Sequence, residues 1–256
     1  MSEYVRETFT HNGYTVQIIA DQDPESPREW DNVGTMACWH DRYHLGDKPY
    51  RGRRGESPSD WLESLAKEYS PGFAKRWDNY HFRRMVGEPA DGDYNSADQK
   101  ARKARFYAAR DAAMWKVIDA NYVILPLGLI DHSGISMYVG SGAHSCDPGG
   151  WDSGQVGWIY ADRKKCIEEW GGKSKRFTKH VREMAEQCLR QEVETYDQFL
   201  TGDVWGFVIE DANGEHVDSC WGFFGDEYCK QEAISCVPSE PSIKTTEDDA
   251  HEESLA

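Results

Sequence analysis

Residues Tyr122 to Ile130, Tyr-Val-Ile-Leu-Pro-Leu-Gly-Leu-Ile, form the most apolar run of the chain. The run leads into the polar cluster Asp131-His132-Ser133-Gly134. A second polar cluster, Trp151-Asp152-Ser153-Gly154-Gln155, leads into another strand-like run that ends at Tyr160. Short apolar runs bounded by such clusters are typical of buried strands. The two runs therefore predict core strands, and their polar ends predict either a functional site or hydrogen-bonded turns.

Two Asn-Gly pairs indicate β-hairpins elsewhere in the chain, because both residues of a tight hairpin turn adopt positive φ angles. Asn12-Gly13 predicts a hairpin over residues 4–20, and Asn213-Gly214 predicts one over residues 204–223.

Apolar residues at helical spacing predict helices between these strands. One begins at Ser59 or Asp60 and ends at Tyr69, and a less regular one covers 71–86. A strong helix begins at Ser96 or Asp98 and ends near Ala120. Its predicted inward stripe is Ala101, Ala104, Ala108, Ala112 and Trp115, extended by Tyr107, Met114 and Ile118.

The last long helix is predicted over 176–200. Its inward stripe is Val181, Ala185, Cys188, Leu189, Val193, Tyr196, Phe199 and Leu200. Glu192 falls inside this stripe, where a carboxylate must be paired, hydrogen-bonded or protonated. His132 is its predicted partner.

Local hairpins mixed with long helices, without a regular β-α-β alternation, favour the α+β class. We expect a mainly antiparallel sheet packed by two or three long helices. Residues 1–237 are expected to form a single domain, with the basic, helical segment 48–120 as a possible insertion. Residues 238–256 are polar and acidic, which predicts a disordered tail.

The formal net charge of -16 is unevenly distributed. Residues 48–116 carry 15 basic and 10 acidic residues, whereas the segments on either side are acidic. Seven scattered cysteines and the lack of a signal-peptide pattern favour reduced thiols in a cytosolic protein. No apolar stretch approaches the roughly 20 residues that span a bilayer, so we expect no membrane partner.

The candidate catalytic residues are Asp131, His132, Asp152, Ser153 and Glu192. They would suit a hydrolase or a metal-dependent nucleotide-processing enzyme if they converge in one cleft. No Gly-x-Ser-x-Gly elbow surrounds either serine. The competing interpretation is structural: the Asp and Ser side chains form turns and satisfy nearby backbone groups.

Three residues, His40, Asp131 and His132, are the candidate ligands of a divalent metal ion. Their spacing matches no standard zinc motif, and no glycine loop for phosphate or dinucleotide binding is present. We therefore predict no cofactor and keep a metal ion as an alternative.

The basic segment supplies candidate contacts for phosphate groups or for an acidic partner. These contacts are Arg51, Arg53, Arg54, Arg102, Lys103 and Arg110. The alternative is a solvated basic helix face.

Several motifs together resemble a group of proteins encoded by bacteriophages and prophages. They are Asp31-Asn32-Val33-Gly34-Thr35-Met36, Trp39-His40, Leu45-Gly46-Asp47, Asp131-His132-Ser133-Gly134, Trp151 to Gly157, Thr195 to Val204 and Asp218-Ser219-Cys220-Trp221-Gly222-Phe223. The group has no established activity, so the resemblance carries over no catalytic residue. It implies a viral accessory protein in the cytoplasm of the infected bacterial host.

Source and acidity together favour a binding protein over an enzyme. We expect it to bind a host protein or protein–nucleic acid complex and to interfere with a host process, such as antiphage defence or nucleic-acid processing. An enzyme at Asp131, His132 and Asp152 is the alternative, and a nucleic-acid binder using the segment 48–116 is the second alternative. The sequence indicates no oligomeric state.

Overall fold

A computed structural model describes residues 4–50, 57–89 and 92–243. Within these ranges the strands are β1 (Val5–His11), β2 (Tyr14–Ala20), β3 (Thr35–Trp39), β4 (Lys48–Tyr50), β5 (Tyr122–Asp131), β6 (Ile135–Val139), β7 (Ser153–Asp162), β8 (Val204–Glu210) and β9 (His216–Phe224). The helices are α1 (Pro58–Tyr69), α2 (Phe73–Arg76), α3 (Asn79–Val86), α4 (Ala97–Asn121), α5 (Arg163–Trp170), α6 (Lys179–Thr201) and α7 (Asp226–Cys236).

The described strands form a four-stranded sheet in the order β1-β2-β8-β9 and a five-stranded sheet in the order β4-β3-β7-β5-β6. The four-stranded sheet is antiparallel throughout. In the five-stranded sheet, β3 pairs antiparallel with β7 and parallel with β4. The predicted α+β class with a mainly antiparallel sheet is confirmed.

The chain forms two compact units. Of the described chain, unit 1 comprises residues 4–32, 129–138 and 191–243, and unit 2 comprises residues 33–50, 57–89, 92–128 and 139–190. Both β5 and α6 contribute residues to each unit. The single domain over 1–237 and the insertion at 48–120 remain predictions.

Unit 1 is built on the two predicted hairpins. Asn12 and Gly13 have φ angles of 48° and 79°, as the tight turn between β1 and β2 requires. Helix α7 packs on the four-stranded sheet around a core of Val16, Ile18, Phe207, Ile209, Cys229, Ala233 and Val237.

Unit 2 is built around helices α1 and α4 and strands β3 and β7. Its buried core is Ala37, Trp61, Leu62, Leu65, Ala66, Phe73, Met114, Ile118 and Tyr122. Partly buried aromatic rings, including Trp39, Trp158 and Tyr160, extend this core.

Two helix predictions for unit 2 are wrong. The segment 71–86 is not one helix, because the Asp78 side chain accepts a hydrogen bond from His81 N and starts a separate helix, α3. The alanine stripe of α4 is also wrong: the buried residues are Gln99, Phe106, Met114 and Ile118, and Ala101, Ala104, Ala108 and Ala112 are exposed. Larger side chains bury more apolar area, so they determine which face packs inward.

Helix α6 confirms its predicted stripe, since Val181, Ala185, Leu189, Val193 and Tyr196 are buried. Of the predicted tail, residues 238–243 are described, and Ser242 N donates a hydrogen bond to Asn12 O at 3.0 Å. Residues 244–256 lie outside the described residues. The seven cysteines all lie within the described residues and form no disulfide with one another. No helix within the described ranges is long and apolar enough to cross a bilayer.

Candidate functional site

The apolar strand β5 ends at Asp131 and turns directly into β6. His132 N donates to Gly134 O at 3.0 Å, and Ser133 adopts a φ of 58°. This is the geometry of a tight turn, as the structural interpretation of this cluster predicts. A catalytic role for Asp131 or His132 remains a prediction.

Glu192 forms a nearly buried ion pair within unit 1. Arg28 Nη1 donates to Glu192 Oε2 at 2.9 Å, and the two side chains are 6% and 10% exposed. The requirement for a partner at this position is confirmed. The partner seen here, Arg28, lies in the loop between β2 and β3 and was not singled out by any sequence pattern.

Ser153 and Asp152 help to close the loop that precedes β7. The Asp147 carboxylate accepts from Ser153 Oγ at 2.8 Å and from Asp152 N at 2.9 Å. These donors lower the pKa of Asp147 below its usual value. Ser153 Oγ also accepts from His144 N at 2.9 Å. The Ser153 hydroxyl is thus engaged in shaping the loop, and its role as a nucleophile remains a prediction.

One ring nitrogen of His40 accepts hydrogen bonds from backbone N–H groups. Its Nδ1 lies 3.2 Å from Arg42 N and 3.1 Å from Tyr43 N, and its ring stacks on Tyr43. Because both backbone groups are donors, Nδ1 is the acceptor and the proton of the neutral ring lies on Nε2.

The metal candidates belong to different units: Asp131 and His132 to unit 1, and His40 to unit 2. In the part of the chain that the structure describes, no group of three His, Cys, Asp or Glu is arranged to hold a metal ion.

The basic candidates differ in their surroundings. Arg51, Arg53 and Arg54 lie outside the described residues. Arg102 pairs with Asp98 at 2.8 Å, and Arg110 pairs with Glu63 across α1 and α4. Both cations thus have carboxylate partners, and their role in binding phosphate groups or an acidic partner remains a prediction.

A group of tyrosines and carboxylates in unit 2 was missed by the sequence analysis. Tyr122 Oη donates to Glu68 Oε2 at 2.7 Å, and Tyr69 Oη donates to Asp162 Oδ2. Of these groups, Tyr122, Glu68 and Asp162 line a cavity of about 450 Å³. No sequence motif marks them, because the two carboxylates come from α1 and β7, and only folding brings them to the tyrosines.

Burial is the main cause of the raised pKa of Tyr122 and of Tyr69, and the hydrogen bonds to the carboxylates add to it. Both phenols therefore stay protonated near neutral pH and act as donors. The network links α1 to β5 and to the N-terminus of α5, where Asp162 Oδ1 accepts from Lys164 N at 2.6 Å. Because these hydrogen bonds join separate elements of unit 2, they explain the stability of the fold more directly than they explain catalysis.

The most exposed feature of unit 1 is strand β9, which lies at one end of the four-stranded sheet. Residues 216–222 of this strand are all exposed. An end strand presents backbone N–H and C=O groups that can pair with another strand.

Exposed aromatic rings surround β9. Trp221 is 47% exposed and lies over Gly206, where an added Cβ would be 2.2 Å from its ring. Trp30, also 47% exposed, packs edge-on against Phe224, and the 53% exposed Tyr228 packs against Phe223.

These rings lie on both faces of the strand. Phe207 points into the core beneath α7, and neighbouring residues of a strand point to opposite faces. Trp221, over Gly206, is therefore on the face away from α7, whereas Tyr228 belongs to α7 itself. We call β9 together with Trp30 and Tyr228 the β9 edge.

The sequence around the β9 edge is uniformly acidic. Residues 201–229 contain seven Asp or Glu and no Lys or Arg. One of them, Asp226, pairs with Arg6 at 3.3 Å. This sequence signal, an acidic stretch with aromatic residues in a predicted hairpin, could have indicated the surface before the structure did.

Comparison with known protein families, curated proteins and solved structures finds no match. The chemistry of the site has to be inferred from its own residues.

Proposed function

We propose that the protein is a viral accessory protein that binds a basic segment of a host protein along the β9 edge. By occupying that segment it would interfere with a host antiphage-defence or nucleic-acid-processing complex in the cytoplasm of the infected bacterium. The observation that carries the proposal is an end strand with exposed aromatic side chains in a stretch that has acidic charges only.

The backbone of β9 supplies the first part of the argument. A strand added to a sheet edge gains main-chain hydrogen bonds, and pockets for alternate side chains give specificity. Proteins that must avoid such pairing often place Lys or Pro on their edge strands. Neither residue occurs in β9, whose sequence is His-Val-Asp-Ser-Cys-Trp-Gly-Phe-Phe.

The aromatic rings supply the second part. Trp and Tyr are the residues most often found at the energetic centre of protein interfaces, because they bury a large area with few rotatable bonds. Trp221, Trp30 and Tyr228 place such rings on the two sides of one strand.

Charge selects the partner. Residues 201–229 carry seven carboxylates, of which Asp226 pairs with Arg6, and their charge would repel a nucleic acid and attract Lys- and Arg-rich segments. Complexes that process nucleic acids expose basic segments of this kind. The resemblance to phage-encoded proteins supports the viral origin and hence a bacterial host protein as the partner.

Hydrogen–deuterium exchange tests the binding mode. A synthetic peptide of alternating Lys and Val is the probe, and binding should slow amide exchange in 216–224. Trp221→Ala should weaken binding about tenfold or more. Trp151→Ala is the matched control, since Trp151 is 90% exposed and lies in unit 2, and it should leave binding unchanged.

A charge reversal tests the electrostatic argument. Asp218→Lys should weaken the peptide complex, whereas Glu169→Lys, on the exposed part of α5 in unit 2, should not. In a pull-down from host lysate, the unmodified protein should recover one stoichiometric host protein. The Asp218→Lys variant should lose it, whereas the Glu169→Lys variant should keep it. Unchanged exchange in 216–224, or equal effects of the Trp221 and Trp151 variants, would contradict the proposal.

A further inference from the structure

Unit 2 contains a cavity of about 680 Å³ between α3 and α4, within the basic segment and independent of the β9 edge. Ligand pockets in proteins typically have volumes of about 300–1,000 Å³. The cavity is lined by Asn79, Phe82, Arg83, Gly87, Glu88, Tyr94, Gln99, Lys103 and Tyr107.

Gln99 is the unusual residue of this cavity. Its side chain is polar, yet the residue is only 2% exposed. Its Nε2 donates to Gly87 O at 2.9 Å, and its Oε1 is buried without a hydrogen-bond partner. Exchanging the two amide atoms would set two oxygens against each other, so the Gly87 carbonyl fixes Oε1 as the atom that lacks a donor.

The start of α4 shows why Gln99 is available. Ser96 and Gln99 have the spacing of a capping box, in which the Gln side chain would bond back to the N–H of Ser96. Only half of the box forms: Gln99 N donates to Ser96 Oγ at 3.3 Å, while Ser96 N donates to Asp93 O at 3.2 Å. The Gln99 amide is therefore directed to Gly87, which together with Gln99 belongs to the cavity wall.

The other walls combine positive charge with aromatic rings. Arg83 and Lys103 contribute cations, and the first turn of the 25-residue helix α4 adds the positive end of its dipole. Phe82 and Tyr107 lie against each other at 5.9 Å, and Tyr94 and Tyr107 are each more than half exposed. Such walls favour a planar, anionic ligand.

We propose that this cavity binds a nucleotide whose base carries an exocyclic amino group. The amino group donates to Gln99 Oε1, the base lies against the aromatic walls, and the phosphate lies at Arg83 and Lys103. The bond from Gln99 Nε2 to Gly87 O fixes the orientation of the amide and leaves Oε1 without a donor, so the site favours bases that present a donor. Glu88 is placed to accept from a ribose hydroxyl.

Calorimetric titration of the full chain tests the ligand class without any substitution. The probes are adenosine, cytidine and guanosine 5′-monophosphates, purine riboside 5′-monophosphate and inorganic phosphate. At least one of the three amino nucleotides should bind below about 1 mM. Purine riboside monophosphate, which lacks the amino group, should bind at least about tenfold more weakly than adenosine monophosphate.

Neighbouring basic residues supply matched variants. Arg83→Ala should weaken nucleotide binding about tenfold, whereas Arg84→Ala, the next residue of α3 and not part of the cavity wall, should change it less than about twofold. Lys103→Ala and Lys100→Ala form a second pair on α4. Gln99→Met should bind both purine monophosphates equally, with circular dichroism confirming that it is folded.

Three outcomes would overturn the proposal. They are no heat from any amino nucleotide up to about 5 mM, inorganic phosphate binding as tightly as the nucleotides, or equal losses in the Arg83 and Arg84 variants. None of these outcomes bears on the β9 edge, since that surface is probed with a peptide.

Discussion

Arg28 Nη1 donates to the carboxylate of Glu192 at 2.9 Å, and both side chains are almost completely shielded from water. The pair ties the loop after β2 to the helix α6 inside unit 1. A charge buried in this way is costly when its partner is lost, since water cannot replace the partner.

Removing one member of this pair should therefore destabilise the protein strongly. We expect Arg28→Met to lower the free energy of unfolding by about 3 to 5 kcal/mol, because Glu192 is left buried without its cation. The double variant Arg28→Met/Glu192→Met should recover a large part of the loss. Urea unfolding measures both effects. Glu194→Gln, at an exposed position of the same helix, should change the free energy of unfolding by less than about 0.5 kcal/mol. Equal effects of the Arg28 and Glu194 variants would contradict a structural role for the pair.

Tyr122 and Tyr69 should make the protein sensitive to alkaline pH. Burial raises the pKa of both phenols above the ordinary tyrosine value of about 10. Their contribution to stability is therefore fully present below about pH 10 and is lost as the pH rises further, because the unfolded chain ionises first.

Urea unfolding at pH 8, 9, 10 and 11 (values chosen to bracket the ordinary tyrosine pKa of about 10) measures this loss. Tyr69→Phe/Tyr122→Phe should cost about 1 kcal/mol per lost hydrogen bond at pH 8 but show a smaller decline above pH 10. Tyr80→Phe is the control, since this tyrosine is 66% exposed. An identical alkaline decline in the double variant and the control would show that other groups dominate.

Gly157 should be essential to the pairing of β3 with β7. A Cβ at this position would lie 2.1 Å from Ala37 O, which is backbone and cannot move without opening the sheet. Gly157→Ala should therefore destabilise the protein by about 1–3 kcal/mol or more. Gly154→Ala is the matched control on the same strand, because an added Cβ there meets no atom within 4 Å. Thermal unfolding followed by circular dichroism compares the two, and a similar melting temperature for both would contradict this account of the β3–β7 contact.

The elements that the sequence predicted correctly are those with a strong local signal. Asn12 and Gly13 form the predicted tight turn, both with positive φ. The second predicted hairpin also forms, but Asn213-Gly214 lies in the loop 211–215 between β8 and β9, where Gly214 has a positive φ and Asn213 does not. The stripe of α6 has enough large apolar side chains to define one face. Helix α7 was missed because its buried residues include the small Cys229 and Ala233, which give little periodic contrast. The alanine stripe of α4 failed for the related reason that exposed and buried alanines are indistinguishable in sequence.

The candidate site was harder to predict than the fold. The sequence indicated that Glu192 needs a partner, but Arg28 is 164 residues away and no local pattern links the two. Similarly, Trp221 is exposed because β9 is the end strand of its sheet. The sequence of a single hairpin does not determine the order of the strands in a sheet. Both features thus depend on contacts between residues that are far apart in the sequence. The local sequence indicates only which residues are able to take part in such contacts.

Gly206 should control the β9 edge through Trp221. A Cβ on Gly206 would lie 2.2 Å from the indole ring and 2.9 Å from Cys220 O, so Gly206→Ala must displace the ring and also crowd the backbone of β9. We expect this variant to weaken binding of the Lys-Val peptide about as much as Trp221→Ala does, and to shift the tryptophan fluorescence as the indole environment changes. The two substitutions should not be additive, since both remove the same contact.

Raising the salt concentration from about 0.05 M to 0.5 M should weaken the peptide complex of the unmodified protein, because the partner's charges are screened. If Gly206→Ala and Trp221→Ala weaken binding independently, or if salt has no effect, the partner does not bind by the combination of aromatic contact and charge inferred for the β9 edge.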